Sequence, residues 1–219
     1  MINMMVLCLC GALLNIGICR LAGFFSFPLY MDTILTITIT LCYGFFWGAL
    51  CGILGNTIFQ TIWFWGWEGH LFTLCSISTA FITYLFMKLF PRELNLTGAR
   101  HKIPDVMPIS RHHIVMDHII VLILLSFALC LVMSILGGLI AGMIITFSSP
   151  KPEDAVISSI FGATMFNQSF PVILTEILSR IPVNIPDRLI SVFAAFGIAL
   201  PLKTANYKLS FPMFTSPDG

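Results

Sequence analysis

Charged side chains are scarce in this sequence, since only 10% of its 219 residues are Asp, Glu, Lys or Arg. A water-soluble domain carries roughly 25% charged residues, because its surface must be hydrated. Hydrophobic residues make up 58% of the chain and the mean hydropathy is +0.96, so the apolar surface must face lipid. The net charge of +1 argues against a nucleic-acid partner, which calls for a basic surface.

Sequence motifs that would indicate catalysis are also missing. We find no nucleophile elbow, phosphate-binding glycine loop or zinc-protease motif, so an enzyme is not expected. The seven cysteines lie singly in apolar stretches and predict neither a disulfide framework nor a metal site. His112, His113, Asp117 and His118 have metal-like spacing, but a hydrated interfacial patch is the favoured interpretation. Neither a metal nor another cofactor is therefore expected.

Six membrane-spanning helices are predicted, because about 20 apolar residues cross the roughly 30 Å of hydrocarbon in a bilayer. The predicted spans are residues 4–25, 31–44, 47–65, 71–90, 117–147 and 184–202. Residues 155–180 have the length of a span but contain polar groups, and they predict a helix that lines a pocket or lies at the interface. A positive segment is absent ahead of the first apolar run, which is read as a span rather than a cleaved signal peptide. The prediction is one all-α membrane domain over residues 1–219.

The distribution of Lys and Arg predicts the orientation. With the N-terminus inside, seven of the 11 basic residues fall on the inner side and four on the outer side. The positive-inside rule then places both termini in the cytoplasm and makes the chain a multi-pass protein of the cell membrane. No span is expected to carry the paired, buried charges of a proton- or voltage-driven carrier. Any transport would then need a separate source of energy.

In this orientation the outer side collects aromatic and polar residues, the combination that forms pockets for small, flat, partly polar ligands. The predicted substrate-binding residues are Tyr30, Asp32, Thr33, Trp63, Trp67, Glu68, Asn167, Gln168, Asn184, Asp187 and Arg188. Other interpretations remain open, because interfacial Trp residues ordinarily anchor helices in the membrane. Asp32 could be an N-cap, and Asp187 with Arg188 could form a helix start that contacts lipid headgroups.

Three stretches resemble a known family. Residues 28–33 (Pro-Leu-Tyr-Met-Asp-Thr) and 44–56 (Gly-Phe-Phe-Trp-Gly-Ala-Leu-Cys-Gly-Ile-Leu-Gly-Asn) look like the second and third helices of S components. These proteins are the substrate-binding subunits of energy-coupling factor (ECF) transporters, which are ABC-type vitamin importers of bacteria and other prokaryotes. Residues 181–192 (Ile-Pro-Val-Asn-Ile-Pro-Asp-Arg-Leu-Ile-Ser-Val) resemble the Pro-Phe-Asn-x-x-Lys start of the last helix in riboflavin-type members.

The resemblance implies six helices, cytoplasmic termini, and a site near the outer surface for a vitamin or related metabolite. It also implies a transmembrane T component and two cytoplasmic ATPases as partners, whose ATP hydrolysis topples the S component. Asp32 and Thr33 would lie beside the gating first loop, and Asn184 would line the pocket. Val183 and Asp187 replace the Phe and Lys of the riboflavin motif, so the substrate cannot be carried over.

Partner docking is expected on the first helix. The family's Ala-x-x-x-Ala motif is not clean here, and the nearest small-residue face, which would allow close helix approach, consists of Gly11, Ala12 and Asn15. The alternative to a transport subunit is a sensory or scaffold domain, since a similar membrane module occurs in the sensor half of some bacterial histidine kinases.

Overall fold

The computed structural model describes residues 2–25, 29–63, 67–94, 111–147 and 172–209. Every regular element in these ranges is helical. The elements are α1 (Ile2–Phe24), α2 (Ile34–Tyr43), α3 (Phe45–Trp63), a 3₁₀ turn (Glu68–Phe72), α4 (Thr73–Leu89), α5 (Pro91–Leu94), α6 (Arg111–Phe147) and α7 (Val172–Leu209). Five helical stretches are long and apolar enough to cross a membrane: Met4–Phe24, Phe45–Trp63, Glu68–Leu89, Met116–Ile145 and Val172–Leu202. The prediction of an all-α chain with several such helices is confirmed.

Helix α2 is too short to span a bilayer. Its ten residues extend about 15 Å, half the hydrocarbon thickness, whereas the sequence predicted a span over 31–44. The start of α2 is held by α1, because the Leu35 N–H donates to Asn15 Oδ1 at 2.9 Å. Helix α1 continues nine residues beyond Asn15 to Phe24, or about 13 Å. The N-terminus of α2 therefore lies inside the bundle.

The half-length helix α2 occupies the centre of the bundle. Seven of its ten residues are buried, and its apolar side forms a core with α6 and α7 through Ile37, Leu125 and Val192. Its C-terminal end turns sharply into α3 at Gly44, whose φ of +91° is readily adopted by glycine. This packing fixes the position of the first turn of α2.

The predicted docking residues lie in the interior of the protein. Ala12 is fully buried and Asn15 is 3% exposed. A Cβ at Gly11 would lie 2.8 Å from Ile39 Cδ1 and 3.1 Å from Cys51 Sγ. The small-residue face of α1 is thus used to pack α1 on α2 and α3. This observation corrects the expectation that Gly11, Ala12 and Asn15 form a surface for a separate partner.

Helices α6 and α7 approach each other at a Gly-x-x-x-Gly step. A Cβ on Gly138 would lie 2.6 Å from Ile177 Cα, and a Cβ on Gly142 would lie 2.8 Å from Ile173 Cγ1. Small residues at this spacing allow membrane helices to come into backbone contact. The contact holds the first half of α7 against α6 along an antiparallel path.

Helix α7 begins earlier than predicted. The sequence suggested a helix over 184–202 and a separate segment over 155–180, but residues 172–180 belong to α7, and 155–171 lie outside the described residues. The cause of the difference is that Pro182 and Pro186 lie within the helix. Proline removes an N–H donor, but packed neighbours and local adjustments tolerate this in membrane helices.

Candidate functional site

One face of α7 is polar and buried. Residues three or four positions apart share a helix face. The buried polar residues of α7 follow this spacing: Glu176, Ser179, Arg180, Asn184, Asp187, Arg188 and Ser191. Two ion pairs form along it, Glu176 with Arg180 and Asp187 with Arg188. The prediction that no span carries paired, buried charges was wrong. Ionisable residues in such segments commonly mark functional sites.

The charged face of α7 holds the segment before α2. Arg180 Nη1 donates to the Tyr30 hydroxyl at 3.2 Å, and the Met31 N–H donates to Asp187 Oδ1 at 2.8 Å. Met31 has a φ of +47°, a conformation that a side chain of this size rarely adopts. The bond from Asp187 helps to retain that conformation.

The same segment is bound at its end by Arg188. Its Nη1 donates a hydrogen bond to Thr33 Oγ1, and its Nη2 lies 3.6 Å from Asp32 Oδ1. Four consecutive residues, 30 to 33, are thus each joined to a charged residue of α7. We refer to Tyr30, Asp32, Thr33, Glu176, Arg180, Asp187 and Arg188 as the arginine cluster.

Arg188 is held firmly by one carboxylate and loosely by another. Asp187 is 0% exposed, and its Oδ2 lies 2.9 Å from Arg188 Nη2, which makes a close ion pair in which Oδ2 accepts no hydrogen bond from the described residues. The Asp32 side chain is 49% exposed, and its 3.6 Å separation is too long for a hydrogen bond. The Nε atom of Arg188 is buried and has no hydrogen-bond partner among the described residues.

Arg180 has a comparable environment. Its Nη2 lies 3.7 Å from Glu176 Oε2, and its guanidinium carbon lies 5.8 Å from the centre of the Phe72 ring, within the range of a cation–π contact. Its Nε is likewise buried without a partner in the described part of the chain. Burial raises the pKa of the Tyr30 phenol above its ordinary value, although Arg180 opposes the shift. Tyr30 therefore remains protonated at neutral pH.

Other predicted residues lie in different surroundings. Asn184 is buried, and its Nδ2 donates to Ser134 Oγ at 2.9 Å, which joins α7 to α6. Trp63 and Trp67 are exposed, and the Trp63 ring lies 4.8 Å from the Arg20 guanidinium carbon. Glu68 is half-buried in the 3₁₀ turn.

Asn167 and Gln168 lie outside the described residues. The structure thus brings together Tyr30, Asp32, Thr33, Asp187 and Arg188. Membrane anchoring requires exposed side chains, so this alternative interpretation stays open for Trp63 and Trp67.

The described residues do not show the alternative roles considered for Asp32, Asp187 and Arg188. The N-cap of α2 is Thr33, without a side-chain capping bond, so Asp32 is not the cap. Asp187 and Arg188 lie in the middle of α7 and are buried, so they neither begin the helix nor reach lipid headgroups from its end.

Glu176, Arg180 and Asn15 were absent from the predicted substrate-binding residues. Glu176, Arg180, Asn184 and Arg188 follow one another at intervals of four residues, a periodicity visible in the sequence. The prolines at 182 and 186 concealed it, because they suggested that the helix begins after them. The role of Asn15 as a cap on α2 depends on tertiary packing, and the local sequence carries no signal for it.

A small apolar cleft lies between α6 and α7, where Ser126, Phe127, Cys130, Ile185 and Leu189 line it. The cleft encloses no space large enough for a water molecule. Ligand sites for small organic molecules have volumes of roughly 300–1,000 Å³ and converging polar groups. The arginine cluster is therefore the stronger candidate for ligand recognition.

Comparison with known proteins yields no match to a protein-family model, to a curated protein or to a solved structure.

Proposed function

We propose that this chain is the substrate-binding subunit of an ECF-type importer and captures a small, vitamin-like metabolite at the arginine cluster. The observation that carries the proposal is that residues 30 to 33 are each joined to a charged residue of α7. Burying ions is unfavourable, and apolar residues of similar volume often stabilise a fold equally well or better. A cluster of five charged side chains in this position is better explained by ligand recognition than by stability.

The position of the cluster supports the same proposal. Transport proteins commonly bind substrate where a helix is interrupted within the bundle, because the helix terminus presents free backbone groups there. Helix α2 begins inside the bundle, and Thr33 at its start contacts Arg188. Asp32 and Thr33, which the family resemblance places beside the gating loop, belong to the segment that is joined to α7. The T component and the two ATPases enter the proposal through the resemblance alone.

Purification of the tagged chain from membranes of the cells that encode it tests the proposal. The expected result is co-purification of one further membrane protein and two ATPases, and ATP-dependent uptake of the bound metabolite by reconstituted vesicles. Co-purification with a kinase would instead support a sensory domain. Two buried ion pairs are also found in ion-coupled carriers, so uptake driven by an ion gradient without the ATPases would contradict the ECF assignment.

A further inference from the structure

The two arginines of the cluster have hydrogen-bonding capacity that the described protein groups do not use. Arg180 and Arg188 are 7% and 4% exposed, and the Nε atom of each is buried without a partner among the described residues. Guanidinium is weakly hydrated and offers planar pairs of donors that match a carboxylate. Buried donors without partners are unusual in proteins, and one explanation is a group that binds there.

The charges of the cluster show which protein group a ligand could replace. Two guanidinium groups face three carboxylates, those of Glu176, Asp187 and Asp32. Asp187 is fully buried, forms a close ion pair with Arg188 and accepts a hydrogen bond from the Met31 N–H, so it cannot leave without breaking the fold locally. Asp32 is half-exposed and lies 3.6 Å from Arg188. Its carboxylate can therefore move away from Arg188 at little cost.

The start of α2 adds a second attraction for an anion. A helix N-terminus carries a partial positive charge and favours negative groups. Thr33, the N-cap of α2, accepts a hydrogen bond from Arg188. The buried Arg188 side chain therefore reaches the α2 N-terminus through its Nη1, and its Nε has no partner among the described residues. Asp32 precedes that terminus directly and places a carboxylate beside it.

From these observations we infer that the arginine cluster binds a small aromatic carboxylate, whose carboxylate replaces that of Asp32 at Arg188. The inference rests on the proposed function and specifies its substrate class. The replaced and replacing groups are both carboxylates, so the number of carboxylates that face Arg188 is unchanged when Asp32 turns away. The Phe72 ring lies 5.8 Å from the Arg180 guanidinium carbon, and the Tyr30 hydroxyl accepts a hydrogen bond from the same side chain, so two aromatic side chains adjoin the cluster and favour an aromatic ligand. In the resting state Asp32 occupies the position of the ligand carboxylate.

Matched acids and amides test this inference on the full chain in detergent. The probes are benzoate with benzamide, phenylacetate with phenylacetamide, and nicotinate with nicotinamide. At least one acid should raise the thermal unfolding midpoint more than its uncharged amide. Calorimetry with that acid then measures affinity in the variants. If no acid exceeds its amide, the inference is overturned.

The variants separate recognition from stability. Arg188→Gln should weaken binding of the acid roughly 10- to 150-fold, the range of a lost charge-assisted hydrogen bond. Because this change leaves Asp187 unpaired, the double variant Asp187→Asn/Arg188→Gln supplies the same test without an isolated charge. Asp32→Asn should strengthen binding about two- to fivefold, since it removes a competing loose ion pair. Asp117→Asn, an exposed acid on α6, is the matched control and should change nothing.

Three results would overturn the inference: an undiminished preference for the acid in the double variant, weaker binding in Asp32→Asn, or equal effects of Asp32→Asn and Asp117→Asn. The proposed function is judged separately by the co-purification experiment. Co-purification of a T component and ATPases together with a neutral or cationic metabolite would support the proposed function and contradict the inferred anionic ligand. Binding of the acid without those partners would contradict the importer assignment and support the anion site.

Discussion

The main-chain N–H of Met31 donates a hydrogen bond to Asp187 Oδ1 at 2.8 Å, joining residues 156 positions apart in the sequence. The other carboxylate oxygen of Asp187 lies 2.9 Å from Arg188 Nη2. Asp187 therefore connects the segment before α2 to the ion pair of α7. Its two contacts make the fold near the arginine cluster sensitive to the charge of a single side chain.

The effects of mutating Asp187 and Arg188 on the free energy of unfolding are expected to be strongly coupled. Asp187→Ala should destabilise the protein by about 3–5 kcal/mol, because it leaves a buried guanidinium with only a loose counterion. The double variant Asp187→Asn/Arg188→Gln should lose less, since neither remaining group is charged. Unfolding in detergent measures these variants and the single variants Asp187→Asn and Arg188→Gln, with Asp117→Asn as the surface control. If the double variant is as unstable as the sum of its single variants, the two side chains are not a coupled pair.

The close contact between α6 and α7 predicts that a larger residue at Gly138 destabilises the fold. Gly138→Ala should lower stability by about 1–3 kcal/mol, because the added Cβ would force apart backbones already in contact. Gly197→Ala on α7 is the control, since no atom lies within 4 Å of its Cβ position. Thermal unfolding of the two variants is the measurement. Equal midpoints would show that the helices do not approach as closely as described.

The interior position of Gly11 changes what a large residue there should do. Gly11→Leu is expected to destabilise the fold itself, because its Cβ already meets Ile39 and Cys51. Gly17→Leu, on the same helix but with nothing within 4 Å, should be tolerated. The yield of monodisperse protein after purification distinguishes the two variants. If Gly11→Leu folds normally and only partner association is lost, the original docking assignment is restored.

The predictions from the sequence were good where an apolar run matched one helix. Helices α1, α3 and α4 begin and end within a few residues of the predicted limits, because uninterrupted apolar residues in lipid leave only the helix as a solution. The length of α2 could not be predicted from its apolar run. Residues 31–33 look like the start of its helix, and their non-helical conformation depends on bonds from Asp187 and Arg188 in a distant part of the chain.

The candidate site was only partly predicted, because its assembly also depends on distant parts of the chain. Asp32 and Arg188 were selected as polar residues at helix starts, but their proximity depends on the continuation of α7 through Pro182. Proline is a strong local signal for a helix boundary, and tertiary packing overrides it here. The ion pairs of α7 could be predicted only once that helix was known to be continuous.

The orientation in the membrane is tested by reporter fusions. The excess of Lys and Arg on the predicted inner side predicts that the segment containing Arg100 lies in the cytoplasm. A fluorescent protein fused after residue 100 should be fluorescent, and alkaline phosphatase fused at the same point should be inactive. The opposite result would place the loop outside and would turn the end of the bundle that contains Trp63 toward the cytoplasm.

The most direct test of the account is native mass spectrometry of the chain purified from its own cells. The wild-type protein should retain one small molecule, and the Asp117→Asn control should retain the same one. The Asp187→Asn/Arg188→Gln variant, if folded by its unfolding midpoint, should be recovered without it, because the arginine cluster supplies the polar contacts of the site. A folded double variant that retains the molecule as well as the wild type would contradict the assignment of this cluster as the binding site.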